Sequence, residues 1–221
     1  TKLFHRWVAE HAKVRVKSWR VDDSRFRNYV QPELGDRALE SIEPDELLTW
    51  HRRLGEQRGR VTANRVLCLV SRVFAWAERF GIYGGKNPCR IVTRFPEDTR
   101  ERFLQPDEAP RFFAALDAEP QLWQDLFRMC LLTGARRSNV QGMRWDQISG
   151  STWTIPGGNA KSGKPIDVNL TAAAVAILDR RRRDSRSDWV FPSPVVSGPI
   201  STVAAAWRRI TQRAGLENFN P

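Results

Sequence analysis

Apolar residues along this chain follow two periods, a helical one over most of its length and an alternating one in a short stretch past the middle. Leu3, Phe4, Trp7 and Val8 recur at helical spacing and predict a first helix. A second is predicted from about Val21 to Val30, where Gln31-Pro32 should stop it because proline drives the preceding residue out of the helical region. Leu34-Gly35-Asp36 reads as a turn, and Pro44-Asp45 as the first turn of a helix carrying Leu47, Leu48, Trp50 and Leu54. The longest predicted helix runs from about Thr62 to Phe80, with Val66, Leu69, Val70, Val73, Phe74 and Ala77 on one apolar face. Gly81, Gly84-Gly85 and Asn87-Pro88 end it.

Charged, proline-containing sequence over 93–102 then predicts an interdomain linker, which separates a helical domain, 1–92, from a second domain, 103–221. In the second domain, helices are predicted at about Pro106 to Leu116, Pro120 to Leu132 and Arg137 to Met143. The period next shortens to two. Trp153-Thr154-Ile155-Pro156 and Ile166 to Leu170 predict an antiparallel hairpin around the glycine-rich loop from Gly157 to Pro165. A helix from Thr171 to about Arg183 follows, its four terminal arginines suited to the helix dipole. Trp189-Val190-Phe191 reads as extended, and a last helix from about Thr202 to Ala214 stops at Gly215. The predicted fold class is mainly α with a small antiparallel β hairpin.

Charge changes the picture next. The 221 residues carry 36 Lys and Arg against 25 Asp and Glu, a formal net charge of +11. Residues 1–100 contain 20 basic and 13 acidic residues, and 101–221 contain 16 and 12, so both halves are basic. A long polyanion touched by both halves is the partner this favours, with nucleic acid the default. The 41% hydrophobic content is enough for real cores and argues against wholesale disorder. No apolar run approaches the length of a membrane span, and no cleavable signal is visible. Cys68, Cys89 and Cys130 lack metal-ligand spacing and read as buried, reduced thiols of a cytosolic protein. The nine tryptophans mostly occupy apolar positions and read as core, not as base-stacking platforms. Thr1 is not an initiator methionine, which suggests a processed or cut N-terminus.

The most informative stretch is Leu131-Leu132-Thr133-Gly134-Ala135-Arg136-Arg137-Ser138-Asn139-Val140-Gln141-Gly142-Met143-Arg144-Trp145-Asp146. An apolar helix end meets a Thr-Gly turn, and an arginine stands just past it. Gly134 allows the sharp turn, and a guanidinium held still at such a corner suits a fixed oxyanion. The bland alternative is an exposed loop arginine. This stretch resembles the first arginine motif of the tyrosine recombinases, the phage and genomic-island integrases and their Xer-type relatives, and the resemblance extends from about Phe4 to Pro221.

What the resemblance implies is specific. The chain would be a helical core-binding domain followed by an α+β catalytic domain truncated at its C-terminus. Arg136 would be the first catalytic arginine, clamping the DNA phosphate to be cut. Lys161, in the hairpin loop, would protonate the leaving 5′-oxygen, with Lys164 as its rival; a solvated turn with two charges is the plain reading of both. Arg137 would be a backbone contact or a solvated charge. Asn139 departs from the family pattern, which usually has an acid three positions after the arginine. Thr62, Asn64, Arg65 and Arg72, on the long helix, would be candidates for backbone and base contacts. Arg52-Arg53 and Arg58-Gly59-Arg60 would touch phosphates or simply face solvent.

The family's nucleophilic tyrosine, second arginine and histidines have no counterpart here. Tyr29 and Tyr83, and His5, His11 and His51, all lie in the first domain. The chain would therefore be a fragment ending before a His-x-x-Arg motif, inactive in cleavage by itself, with an arm-binding domain preceding Thr1. The intact protein would bind attachment-type sites on double-stranded DNA, as a monomer before and a homotetramer during synapsis. It would exchange strands through a 3′-phosphotyrosine without metal or ATP, in the service of a prophage or genomic island. Two other classes stay open: a non-catalytic DNA-binding protein on the same scaffold, and an unrelated helical RNA-binding module.

Overall fold

The structure, a computed structural model, describes residues 1–97, 102–160, 162–183 and 185–219. The chain divides into two units, Thr1–Arg100 and Glu101–Pro221, each with its own apolar core.

In the first unit α1 occupies residues 2–15, with a π-helical stretch at Val8–Ala12 between its helical ends Lys2–Trp7 and Lys13–Arg15. A second helix, α2, covers 19–34 through the segments Trp19–Arg25, Phe26–Val30 and Gln31–Leu34. Pro32, expected to end a helix at Val30, lies inside this one. The π-helical turn just before it explains why: Gln31 N–H donates to Phe26 O, five residues back. That wider turn takes up the carbonyl displacement a proline ring forces on a regular helix. Two long helices follow, α3 (Pro44–Arg58) and α4 (Arg60–Arg79), joined at Gly59, whose φ of +89° suits a residue without Cβ. The six apolar positions that the sequence assigns to one face of α4 are all buried. All but Ala77 pack with Phe4, Trp7, Phe26, Leu47 and Trp50 into one core.

The second unit packs α5 (Ala109–Asp117), α6 (Gln121–Thr133) and the short α7 (Arg137–Gln141) against a small sheet and two later helices. The sheet contains β1 (Ile148–Ser149), β2 (Thr152–Ile155) and β3 (Ile166–Asn169), antiparallel in the order β1-β2-β3. Trp153 pairs with Val168 and Ile155 with Ile166, so the hairpin has the expected strands. The additional strand β1 is only two residues long, too short to show an alternation. Trp153 and Ile155 turn into the core, while Thr154 faces out and donates to Asp167 Oδ1 at 2.6 Å. In the connecting loop Gly157 approaches Gly163 so closely that a Cβ would lie 2.4 Å from the Gly163 oxygen.

Beyond the sheet lie α8 (Ala172–Arg183) and α9 (Ala204–Ala214), the latter stopped by Gly215 at φ +64°. Two buried carboxylates tie these helices down. Asp125 accepts from Gln121 and from Arg180 and Arg181 of α8. Glu119 accepts from Arg209 at 2.5 Å and Arg213 at 3.1 Å on α9. The arginine run ending α8 thus does more than face a helix dipole, since two of its members are tertiary ties.

Candidate nucleic-acid interface

The corner that holds Arg136 is built from local hydrogen bonds. At the end of α6 the Thr133 hydroxyl donates to Met129 O at 2.7 Å and accepts from Ala135 N at 3.3 Å. Gly134 sits in the left-handed region, at φ +60°, and its N–H reaches back to Cys130 O. Arg136 is the residue that caps α7, and its carbonyl accepts from Asn139 N at 2.8 Å and Val140 N at 3.2 Å. From below, Val140 and Met143 anchor α7 in the core, and Gln141 Nε2 donates to Ile200 O. The backbone of Arg136 is therefore held on both sides, whereas its side chain is exposed and forms no ion pair among the described residues. An uncompensated guanidinium on an anchored stem is what a phosphate clamp requires.

Arg137, the first residue of α7, is also exposed and lines a cavity of about 390 Å³. Ser201, Thr202, Val203, Ala204, Trp207, Arg208, Thr211 and Phe219 form its other walls. Asn139, in the position where an acid was expected, is 7% exposed. Lys164 is exposed in the hairpin loop, where its N–H faces the Ser162 hydroxyl at 3.3 Å. Lys161 lies outside the described residues.

In the first unit the four residues expected to contact DNA separate. Asn64 is 2% exposed, which corrects its assignment to a DNA-facing side. Its Oδ1 lies 3.0 Å from His51 Nε2 and accepts from Phe95 N. Its Nδ2 donates to Phe95 O and to Glu97 Oε1. The amide has no capacity left for a base edge. Arg72 is committed as well, bonding buried Asp22 at 2.9 Å across to α2 with its guanidinium over the Trp7 ring. Arg65 is exposed and reaches Glu97 at 3.2 Å, and Thr62 is half-buried at the start of α4.

Sequence reasoning missed this latch, because it joins α3, α4 and residues that looked like free linker. The Phe95 ring stacks on His51 at 4.6 Å between centroids, and a Cβ on Gly55 would lie 2.5 Å from that ring. Arg208, which shares the wall of that cavity with Arg137, is not singled out by the sequence either. Four tryptophans (Trp7, Trp50, Trp76 and Trp153) are buried and the other five half-buried, and the three cysteines are free thiols. Burial pushes the Cys89 thiol up to about 12, with neighbouring Cys68 adding to it, and pushes Cys130 up to about 11. Among the described residues no helix is long and apolar enough to cross a membrane.

Comparison with known proteins gives the family. The model of the phage integrase family matches residues 102–221, and that of the phage integrase central domain matches residues 1–93. The chain belongs to the phage integrase family. It is 31% identical over 168 residues to the integrase of Salmonella phage P22, covering 69% of this chain and 42% of that protein. It is 26% identical over 191 residues to prophage integrase IntA of Escherichia coli strain K12, covering 81% of this chain and 46% of that one. The chain thus spans less than half the length of these two curated relatives. Among solved structures, a lambda integrase tetramer bound to a Holliday junction superposes on all of this chain, and on 67% of its own, with a TM-score of 0.80 at 19% identity. The Tn1549 transposon integrase in complex with a circular intermediate DNA likewise covers 100% of this chain and 80% of its own, with a TM-score of 0.79 at 15% identity. The fold is that of the tyrosine recombinases.

Proposed function

We propose that this chain is the core-binding domain and the first part of the catalytic domain of a site-specific DNA recombinase. The intact protein integrates or excises a prophage or genomic island in the cytoplasm, by cutting and rejoining strands through a 3′-phosphotyrosine. The observation that carries this reading is Arg136, anchored through its backbone at the α6–α7 corner and left without a carboxylate partner among the described residues. There it holds the non-bridging oxygens of the scissile phosphate and stabilises the charge that builds on them during attack. Lys161, or its rival Lys164, serves as general acid toward the leaving 5′-oxygen. The partner is double-stranded DNA at attachment-type sites, with a homotetramer in the synaptic complex. The chain by itself supplies no nucleophile from its second unit and does not cleave.

Replacing Arg136 by alanine in the intact protein tests the assignment. The expected result is cleavage reduced by at least about 10²-fold, the scale on which losing a preformed oxyanion donor acts, with most duplex affinity kept. Equal loss of binding and cleavage would make Arg136 a structural residue. A second reading, DNA binding without cleavage on the same scaffold, is favoured by Asn139 standing in the place of an acid. It predicts that no variant of the intact protein forms a covalent adduct with a nicked suicide duplex.

A further inference from the structure

Arg137 and Arg208 line the same cavity, from α7 and α9 respectively, and no carboxylate among the described residues lines it with them. This sets Arg208 apart from its neighbours on α9, because Arg209 and Arg213 both bond Glu119. Neither Arg137 nor Arg208 forms an ion pair with a carboxylate among the described residues. Two like charges directed into one space repel each other, a cost that an anion between them would reverse. Two of the remaining polar walls already donate elsewhere. Thr211 donates its hydroxyl within α9, and Trp207 Nε1 donates to Phe219 O at 2.8 Å. Thr202 Oγ1 accepts from Ala204 N at 3.3 Å and keeps its own O–H. The two guanidiniums and the exposed Ser201 and Thr202 hydroxyls are the side-chain donors left for a ligand among the described lining residues.

Chain position decides which anion. Arg136 and Arg137 are consecutive, but Arg136 caps α7 with a non-helical backbone, ψ +133°, whereas Arg137 is the first helical residue and only it lines the cavity. They therefore address two different anions close together, and successive phosphates of one strand supply such a pair. We propose that Arg137 and Arg208 together seat a DNA backbone phosphate next to the one gripped by Arg136, making Arg208 a residue that positions DNA at the recombinase site. This inference rests on the recombinase reading above. The contact is to the backbone, so it tightens binding on any duplex sequence and contributes to register, not to base choice.

The 221-residue chain, Arg208→Ala, Arg137→Ala, the double variant and Arg208→Lys are to be titrated against two unrelated duplexes over a range of salt. Arg208→Ala should weaken both duplexes equally, roughly tenfold at low salt, and should reduce the slope of log affinity against log salt by about 0.9. The second alanine should cost less than the first, because the two arginines share one phosphate. Arg208→Lys should keep most of the slope, and unchanged thermal unfolding midpoints should show that the variants fold. An Arg208→Ala slope equal to that of wild type overturns the proposal. So do losses that add in full in the double variant, or inorganic phosphate binding that Arg208→Ala removes without changing duplex affinity. A wild-type chain without salt-dependent duplex affinity fails the recombinase reading itself, whereas a steep wild-type slope that survives Arg208→Ala fails this assignment alone.

Discussion

His51 shows how far a single side chain can be committed. It is 1% exposed, stacked on Phe95 and hydrogen-bonded to Asn64. Burial lowers its pKa below the ordinary 6.5, and the Asn64 hydrogen bond opposes that only in part. The sign of the pH effect follows. Above about pH 6.5 the imidazole is neutral in both folded and unfolded chains and contributes no pH dependence. As pH falls through 6.5 the unfolded chain takes up a proton that the folded one refuses, so stability drops, and it levels off once the folded histidine also protonates. Urea unfolding at pH 7.5 and 5.5 should show this loss in wild type and a smaller one in His51→Gln. Equal losses in both proteins would remove His51 as the cause.

At the scale of elements, contacts between helices and the segments beside them decide what each helix face does. The latch at Phe95 and Glu97 uses a close approach to α3 that only a glycine permits, since a Cβ at Gly55 would meet the Phe95 ring at 2.5 Å. Gly55→Ala should therefore displace Phe95 and destabilise the first unit by about 1–3 kcal/mol, the usual cost of overpacking. Hydrogen exchange at the Phe95 amide, which donates to Asn64 Oδ1, should accelerate in parallel. Wild-type exchange in a folded Gly55→Ala variant would mean that the latch does not depend on that contact. The second unit uses buried carboxylates for the same purpose, with Asp125 and Glu119 holding α8 and α9 through pairs of arginines. Hydrogen bonds from Arg209, above all, keep the Glu119 carboxyl ionised below the usual carboxylate range despite its burial.

For the whole molecule the governing quantity is its +11 charge, spread over both halves. Many of the arginines that make up this excess are internally paired, from Arg53 with Glu33 to Arg128 with Asp117, and contribute less to an external field than their number suggests. Those without a carboxylate partner among the described residues include Arg136, Arg137 and Arg208, all within the second unit. If both halves bind one duplex and neutralise several phosphates, affinity should fall by roughly 10³-fold or more between 50 and 200 mM salt. Filter binding or anisotropy would measure it, and a flat dependence would sink the idea that both halves take part.

Local physics settled more of this protein than its length suggests. Helical and alternating periods, the Thr133-Gly134 turn, the glycine stops and the family motif are set by residues within a few positions of one another, so the sequence alone determined most of the element order, though not β1 or the continuation of α2 through Pro32, and the turn that precedes Arg136. Long-range contacts settled the rest. Asn64 and Arg65 are adjacent polar residues on one helix, yet one is buried in a latch while the other is exposed, because α3 and residues 95–97 cover one side of α4. Arg208 and Arg209 differ only in which of them meets Glu119. Whether a charge is spent inside the fold or left for a ligand depends on what the chain brings to it from far away, and only the tertiary structure decides that.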